Sequence, residues 1–318
     1  MMSVLCIGEA LIDMICTDKG STLSAGENFL KKPGGAPTNV AAAIAALGGE
    51  VYLSAKVGND PFGKQLQEVM NSFGVNTQHL HLDDHHFTTF AFVSLMLDGE
   101  RDFVFNRGAD AHLSMEDIKS IDLEQQQIIH FGSATAFLDG KLKEAYYHLL
   151  KEAKASGKLI SFDPNYRHLL FADKQDSFIQ QSMIFLQQAD FAKLSDEEAM
   201  LITRTPTLAK ATERLLKICP GVFAITLGKE GTLLGMKGKT WNISSIPIKP
   251  TDTTGAGDAF VGAVLYQLDQ LQVKDLVQLS LDEWTKIILN ANKAGARTCE
   301  YMGAMEAFRH LSSAIFTN

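Results

Sequence analysis

The chain lacks the features that mark secreted and membrane-spanning proteins. No apolar run reaches the roughly 18 residues that a membrane span needs, so we expect no membrane partner. The N-terminal MMSVLCIGEALID has neither a basic segment nor a long apolar core, which argues against a signal peptide. The four cysteines are scattered, and no Cys-x-x-Cys motif suggests zinc. Reduced thiols in a cytoplasmic protein are therefore expected.

Concentrated positive charge is also missing. The chain has 29 Lys and Arg against 37 Asp and Glu, which gives a formal net charge of −8, and no basic stripe occurs. A nucleic-acid partner is therefore not expected. The 318 residues are 46% hydrophobic, as in ordinary globular proteins, and contain no low-complexity segment or repeat. We expect a single domain over residues 1–318.

Strand-like apolar runs alternate with helical patterns along most of the chain. Strands are predicted at 3–8, 51–58, 128–133, 158–164, 189–194 and 222–228. Helices are predicted at 36–49, 61–74, 139–156, 195–203, 207–218, 257–268, 282–300 and 304–312. This alternation predicts an α/β layered domain with a mainly parallel sheet.

One region breaks this alternation. Residues 88–108 contain two strand-like runs around Asp-Gly-Glu at 98–100, and Asp-Gly is a hairpin signal. An antiparallel hairpin does not fit a parallel sheet, and residues 12–32, which lack a helical period, could pair with it. We predict a small β-lid formed by about 12–32 and 86–108.

The segment TDTTGAGDAF, residues 251–260, presents three small residues before an acid and a long apolar helix. Gly255, Ala256 and Gly257 would begin that helix with free N–H groups, which are suited to an anion. A phosphoryl group in transfer carries such charge, and Asp258 could take the proton of the accepting hydroxyl. The residues alone equally allow tight packing of the glycines and an ordinary first-turn acid.

A second glycine-rich segment, GNDPFGKQ at 58–65, matches most of a phosphate-binding P-loop that would use Lys64. The Ser or Thr that would hold Mg²⁺ is replaced by Gln65. We therefore favour a plain helix start, with Asp60 as N-cap and Pro61 in the first turn.

Three of the nine histidines cluster in the sequence, at His81, His85 and His86. They have no tetrahedral spacing with cysteine. We expect solvated residues of a loop before the lid hairpin, not metal ligands.

The chain resembles the ribokinase-like, or PfkB-type, sugar kinases, and within them it looks most like the fructokinase branch. DTTGAGDAF matches the second signature of that family. Further segments fall in the family's order over nearly the whole chain: GEALID (8–13), PGGAPTNVA (33–41), KVGNDPFG (56–63), DGERDFVFNRGADAHL (98–113), SFDPNYR (161–167), KLSDEE (193–198) and TLGKEG (226–231).

The resemblance implies a ribokinase-like three-layer α/β/α fold with a lid, and an ATP-dependent sugar kinase with Asp258 as base and Gly255, Ala256 and Gly257 as anion hole. Fructose would be the acceptor, and its 6-phosphate the product. The residues implied to bind the sugar are Asp13, Gly34, Gly35, Asn39, Arg107, which would close over the sugar or its new phosphate, and Asn165.

The resemblance also implies ATP and Mg²⁺ as cofactors. The residues implied to bind the nucleotide are Arg167, Ser195, Thr226, Gly228, Gly231 and Asn292. The family often has Asn-x-x-Glu where Ser195 and Glu198 stand, so Glu198 is expected to organise Mg²⁺ through water. Asp252 and Thr254 match positions at which relatives bind K⁺.

Other functions stay open on the sequence. The acceptor could be 2-keto-3-deoxygluconate, whose carboxylate could use Arg107 or Arg167, or ribose or a nucleoside. A non-catalytic sugar-binding protein would bind sugar without ATP turnover, and a P-loop NTPase would depend on Lys64. The exposed edges expected of a lid sheet suggest a homodimer that pairs through the lids.

Overall fold

The main sheet of the molecule has nine strands. The computed structural model describes residues 3–96 and 101–317. The order across the sheet is β13-β12-β11-β10-β9-β8-β1-β4-β5, in which β12 runs antiparallel to both neighbours and the other pairs are parallel. These strands are β1 Ser3–Ile7, β4 Val51–Gly58, β5 Leu80–Asp83, β8 Gln126–Phe131, β9 Leu159–Phe162, β10 Phe191–Ser195, β11 Val222–Thr226, β12 Thr232–Met236 and β13 Lys239–Ile243.

Helices cover both faces of this sheet and enclose two apolar cores. One face carries α1 Ala36–Ala46, α2 Pro61–Phe73, α9 Ala256–Leu271, α10 Leu281–Thr298 and α11 Ala304–Phe308. The other carries α3 Met115–Ile118, α4 Lys141–Ala155, α5 His168–Phe171, α6 Gln175–Leu186, α7 Asp196–Thr203 and α8 Leu208–Ile218. The predicted three-layer α/β/α architecture is therefore confirmed.

A second sheet of four strands stands against this body and forms the lid. Its order is β3-β2-β6-β7, made of β2 Leu11–Cys16, β3 Phe29–Gly34, β6 Thr89–Leu95 and β7 Arg101–Asn106. β6 and β7 pair antiparallel, as expected, whereas β2 and β6 are parallel. The predicted Asp-Gly turn at 98–100 lies outside the described residues.

Aromatic packing fixes the lid to α2. Phe62 of this helix meets Phe90 of β6 edge-on, with ring centroids 4.9 Å apart, and the ammonium of Lys31 lies 5.3 Å from the Phe62 ring centroid. The helix itself begins at Asp60, whose carboxylate accepts the amides of Phe62 and Gly63. The same carboxylate accepts the amide and hydroxyl of Thr88, just before β6. Asp60 therefore ties the helix start to the entry of the lid.

The predicted elements all occur, with ends that shift by a few residues. The sequence patterns missed β5, the β12–β13 hairpin, α3, α5 and α6, because these short or weakly periodic segments gain their order from neighbours. The expectation that His81 lies in a loop was wrong: it lies in β5, paired with Lys56 of β4. Across the described residues, no helix is long and apolar enough to cross a membrane.

Candidate active site

The residues predicted to form the anion hole lie at the N-terminus of α9. Gly255 has a φ of 81°, and a Cβ on it would lie 2.4 Å from the Cβ of Ala304, so only glycine fits there. A Cβ on Gly257 would lie 3.2 Å from Nζ of Lys193. The first amides of a helix have no acceptor within it, so this turn presents donors beside a lysine.

Asp258 lies in the first turn of α9 and is 9% exposed. Its Oδ2 accepts a 2.7 Å hydrogen bond from Nδ2 of Asn39, on α1. Burial raises the pKa of Asp258, and the Asn39 hydrogen bond and the charges of Arg167 and Lys193 partly offset this. Oδ1 of Asn39 is buried without a hydrogen-bond partner among the described residues, so this pair of side chains has an acceptor to offer a ligand.

Asp13 and the turn at Gly34 and Gly35 form a second wall. A Cβ on Gly34 would lie 2.1 Å from Oδ2 of Asp13, and Gly35 has a φ of 105°. Burial raises the pKa of Asp13 to about 6; the charge of Arg167 lowers it and that of Glu9 raises it. Small residues thus bring the backbone next to a carboxylate, as a sugar site requires.

Glu9, which the sequence patterns did not single out as a site residue, supports this turn. Its buried carboxylate accepts the amide of Ala36 at 3.0 Å and the hydroxyl of Ser133 at 2.5 Å. Burial raises its pKa, which the hydrogen bond from Ser133 partly offsets. In the sequence, only its position within the GEALID motif could have indicated a role in the site.

Arg107 follows β7 and is held by three acceptors of the protein. Nε donates to Asp110 at 3.1 Å, one terminal nitrogen to the Asp139 carbonyl at 2.7 Å, and the other to the Thr135 carbonyl at 3.1 Å. Its predicted grip on the sugar or its phosphate stays a prediction.

Asn165 and Arg167 follow β9 at the carboxyl edge of the sheet. Asn165 has a φ of 47°, and its Nδ2 donates to the Gly132 carbonyl at 2.7 Å. Arg167 is exposed and makes 3.3 Å contacts to the Tyr166 carbonyl and to Oδ1 of Asn165. Its charge lowers the pKa of both Asp13 and Asp258.

Lys193 and Asp163 form a buried ion pair, with Nζ and Oδ2 3.2 Å apart, that the sequence patterns did not identify. Burial raises the pKa of Asp163 to about 7, which the charge of Lys193 opposes. Burial lowers the pKa of Lys193, but the charges of Asp163, Glu198 and Asp258 outweigh this and raise it. Both residues lie in quoted motifs, SFDPNYR and KLSDEE, yet only the fold brings them together.

Ser195 caps α7, and its hydroxyl accepts the amide of Glu198 at 3.1 Å. The buried carboxylate of Glu198 accepts the amides of Ser195 and Tyr166, each at 2.8 Å. Within residues 3–96 and 101–317, no group of three His, Cys, Asp or Glu could hold a metal ion. These contacts fit a Glu198 that acts on Mg²⁺ through water.

Four of the predicted nucleotide residues, Thr226, Gly228, Gly231 and Asn292, lie at or beside the ends of β11 to β13. Thr226 ends β11, and the turn after it contains Gly228 and Gly231, with φ of 57° and 101°. Asn292 on α10 accepts the Thr232 hydroxyl at 2.7 Å and donates to the carbonyls of residues 243 and 244. The turn and Asn292 therefore meet at Thr232, next to Gly231.

Asp252 braces the loop that leads to α9. Oδ1 accepts the amide and hydroxyl of Thr254, and Oδ2 accepts the amide of Gly303 at 2.8 Å. Burial raises the pKa of Asp252, but these hydrogen bonds outweigh it and keep the pKa below its usual value. A charged carboxylate beside an exposed loop fits the predicted K⁺ site.

The P-loop alternative does not fit the geometry of residues 58–65. The amides of Phe62 and Gly63, which would have to bind phosphate, donate to Asp60. Lys64 is exposed. The segment is a capped helix start.

The structure thus brings two sets of the predicted residues together. Asp13, Gly34, Gly35, Asn39 and Asp258 line one cleft beneath the lid, with Arg167 at its rim. Thr226, Gly228, Gly231 and Asn292 form the second group. A buried carboxylate next to helix amides can accept a hydroxyl proton while the amides bind an anion.

Comparison with known proteins agrees with this geometry. Residues 1–310 match the model of the pfkB family carbohydrate kinases. The chain is similar to "Probable fructokinase-3" of Arabidopsis thaliana, at 34% identity over 309 residues that cover 96% of this chain and 88% of that protein.

Two solved structures resemble it over almost their whole length. The fructokinase of Vibrio cholerae O395, solved with fructose, ADP and a calcium ion, has a TM-score of 0.84 at 32% identity and covers 100% of this chain and 98% of its own. An uncharacterized sugar kinase of Pyrococcus horikoshii in complex with ATP has a TM-score of 0.82 at 32% identity. The match covers 95% of this chain and 94% of that protein. The chain belongs to the pfkB family of carbohydrate kinases, which are phosphotransferases acting on a sugar hydroxyl.

Proposed function

We propose that the protein is an ATP-dependent fructokinase that converts D-fructose to D-fructose 6-phosphate. The observation that carries this proposal is the buried Asp258 at the start of α9, hydrogen-bonded to Asn39 in a cleft that also contains Asp13. The fructokinases among its relatives support fructose as the acceptor.

In the proposed reaction, Asp258 takes the proton of the primary hydroxyl. The oxygen then forms a bond to the γ-phosphorus of ATP, the bond from that phosphorus to the β,γ-bridging oxygen breaks, and ADP leaves. The amides at Gly255 to Gly257 would stabilise the charge on the transferring group. Asp13, Asn39 and the Gly34–Gly35 turn would hold the sugar hydroxyls, with Arg107 and Asn165 beside them.

On the nucleotide side, we assign Arg167 and Ser195 to the phosphates, and Thr226, Gly228, Gly231 and Asn292 to the nucleoside. Mg²⁺ would neutralise phosphate charge when it arrives with ATP, and Glu198 would orient its water ligands. Asp252 and Thr254 would hold K⁺.

A second candidate acceptor is the sugar acid 2-keto-3-deoxygluconate. The observation that favours it is Arg167, an exposed guanidinium that faces Asp13 and Asp258 and could bind a carboxylate.

The test is ATP consumption by the purified protein with Mg²⁺ and K⁺ across fructose, tagatose, ribose, 2-keto-3-deoxygluconate, adenosine and no acceptor. We expect strong turnover with fructose. Turnover only with another acceptor would replace the substrate, and consumption that needs no acceptor would contradict a sugar kinase.

We also propose that the protein acts in the cytoplasm, where its four free cysteines would stay reduced, and that it forms a homodimer through its lids. One face of the lid carries Asp13, Ile15 two residues further along β2, and Leu30, which pairs with Ile15; Ile15 and Leu30 are 39% and 42% exposed. Covering such a face would remove apolar surface from water.

A further inference from the structure

Arg107 lies at the base of the lid, just after β7, and a carboxylate of the protein balances its positive charge. Its Nε donates to Oδ2 of Asp110 at 3.1 Å, and the Asp110 side chain is fully buried. Two more N–H groups donate to the carbonyls of Thr135 and Asp139. A guanidinium has five N–H groups, so two remain for a ligand. The positive charge of the group is, however, already balanced by the Asp110 carboxylate.

Asp110 is fixed by more than this arginine. Its carboxylate also accepts the hydroxyls of Thr89 and of Thr135, the latter at 2.8 Å. Thr89 additionally accepts the amide of Gly108, next to Arg107. A carboxylate with three donors around it is held in one position, and so is the guanidinium that it binds.

Arg107, Asp110, Thr89 and Thr135 lie at the base of the lid, and a chain of contacts connects them to the residues of the sugar cleft. Strand register places Thr89 beside Leu11, and Leu11 beside Gly34. Through Glu9, the loop at Ser133 to Thr135 also contacts Ala36, which follows the Gly34–Gly35 turn. Arg107 is therefore placed at the border of the pocket that would bind the sugar.

The two other cations near the sugar residues, Arg167 and Lys193, also interact with carboxylates of the protein. The charge of Arg167 lowers the pKa values of two carboxylates, Asp13 and Asp258. Lys193 is paired with Asp163. Each of these cations thus has at least one carboxylate beside it, and a sugar acid would add a further negative charge.

We propose that Asp110, by holding and neutralising Arg107, makes the pocket selective for neutral sugars over sugar acids. Asp110 is a positioning residue in this proposal, because it acts through Arg107. The inference rests on the proposed sugar-kinase function, and it deepens it by naming the substrate class.

The experiment compares kcat/KM for D-fructose and for 2-keto-3-deoxygluconate in the wild type, Asp110→Asn and Asp139→Asn. Asp110→Asn keeps the shape but leaves Arg107 with an uncompensated charge, so the ratio of acid to fructose kcat/KM should rise at least about tenfold. Asp139→Asn is the matched control: its carboxylate is 79% exposed and pairs with Lys174, and only its carbonyl hydrogen-bonds Arg107, so this variant should change the ratio far less than Asp110→Asn.

An unchanged ratio in folded Asp110→Asn, or an equal rise in Asp139→Asn, would overturn the proposal while leaving the kinase function intact. If Asp110→Asn does not fold, calorimetric binding to the wild type decides: fructose should bind at least about tenfold more tightly than the acid, and equal or tighter binding of the acid would refute the proposal. Absence of turnover with every sugar would instead count against the proposed function.

Discussion

At the scale of single residues, the account depends on two carboxylates that must be ionised in a buried cleft. Burial raises the pKa of Asp13 to about 6 and also raises that of Asp258. Only the ionised forms can accept hydroxyl protons, so activity should be lost as the pH falls through these pKa values.

We therefore expect kcat/KM for the sugar to be level above about pH 7 and to fall below about pH 6, by about tenfold per pH unit for each carboxyl that protonates. The measurement is a pH–rate profile of kcat/KM, which reports groups of the free enzyme. Asp13→Asn should remove the step at about 6. A profile of the wild type that stays level to pH 5 would contradict the prediction.

Removal of only one member of the Lys193–Asp163 ion pair should destabilise the protein. Lys193→Met leaves a buried carboxylate without its partner, which should lower the free energy of unfolding by about 3–5 kcal/mol in denaturant melts. The double variant Lys193→Met, Asp163→Asn removes both charges and should recover much of that loss. Equal destabilisation of both variants would argue that lost packing, not the unpaired charge, dominates.

How far the sequence predicts the site depends on whether a residue lies in a local motif. Asp258 and its glycines are consecutive in the sequence, so the sequence alone predicts that they share one helical turn. The hydrogen bond from Asn39 to Asp258 joins residues 219 positions apart, and only the motif order suggested that they share a site. Lys193, Asp163 and Glu9 owe their roles to partners on elements distant in the sequence, which no local pattern contains.

At the scale of elements, the start of α9 is built so that glycine is required. We expect Gly255→Ala to lower the free energy of unfolding and to reduce kcat by about a hundredfold, because its Cβ would lie 2.4 Å from that of Ala304 and displace the anion-hole amides. Denaturant melts and turnover measurements test this.

Gly74→Ala is the matched control for that substitution. Gly74 has a φ of 89°, close to the 81° of Gly255, but a Cβ there meets no atom within 4 Å. It should show only the backbone cost of about 1–2 kcal/mol and retain turnover. Equal effects of the two variants on turnover would count against a special role of the α9 start.

Residues 58–65 show how an element can carry a misleading motif. Lys64 is exposed, and Asp60 occupies the amides that a phosphate would need. Lys64→Ala should therefore leave kcat and KM for ATP within about twofold of the wild type, since surface substitutions are usually mild. A loss of turnover in steady-state assays of this variant would revive the P-loop alternative.

Element types followed from the alternating apolar patterns, and a capped start such as Asp60-Pro61 fixed the beginning of α2. The exceptions were β5, the β12–β13 hairpin, α6 and the one-turn helices α3 and α5. α6 packs Phe178 and Phe185 into the core, but its weak periodicity gave no clear helical stripe.

At the scale of the whole molecule, we expect association through the lids. Sedimentation velocity should give a mass of twice the 34.8 kDa chain, and Ile15→Lys should shift it to the monomer. Leu289→Lys is the control, because Leu289 is 40% exposed against 39% for Ile15 but lies on α10. A monomeric wild type would remove the proposal.

The proposed base and the proposed sugar turn lie on different elements, and the fold brings them together, since Asn39, just after the Gly34–Gly35 turn, hydrogen-bonds Asp258. The central claim is that Asp258 carries the proton transfer in this cleft. The most direct test is the turnover of Asp258→Asn with fructose and ATP, measured beside its melting temperature and its affinity for fructose. We predict an intact fold, fructose binding close to that of the wild type, and a kcat lower by at least about a thousandfold. Substantial turnover in this variant would contradict the assignment of Asp258 as the base.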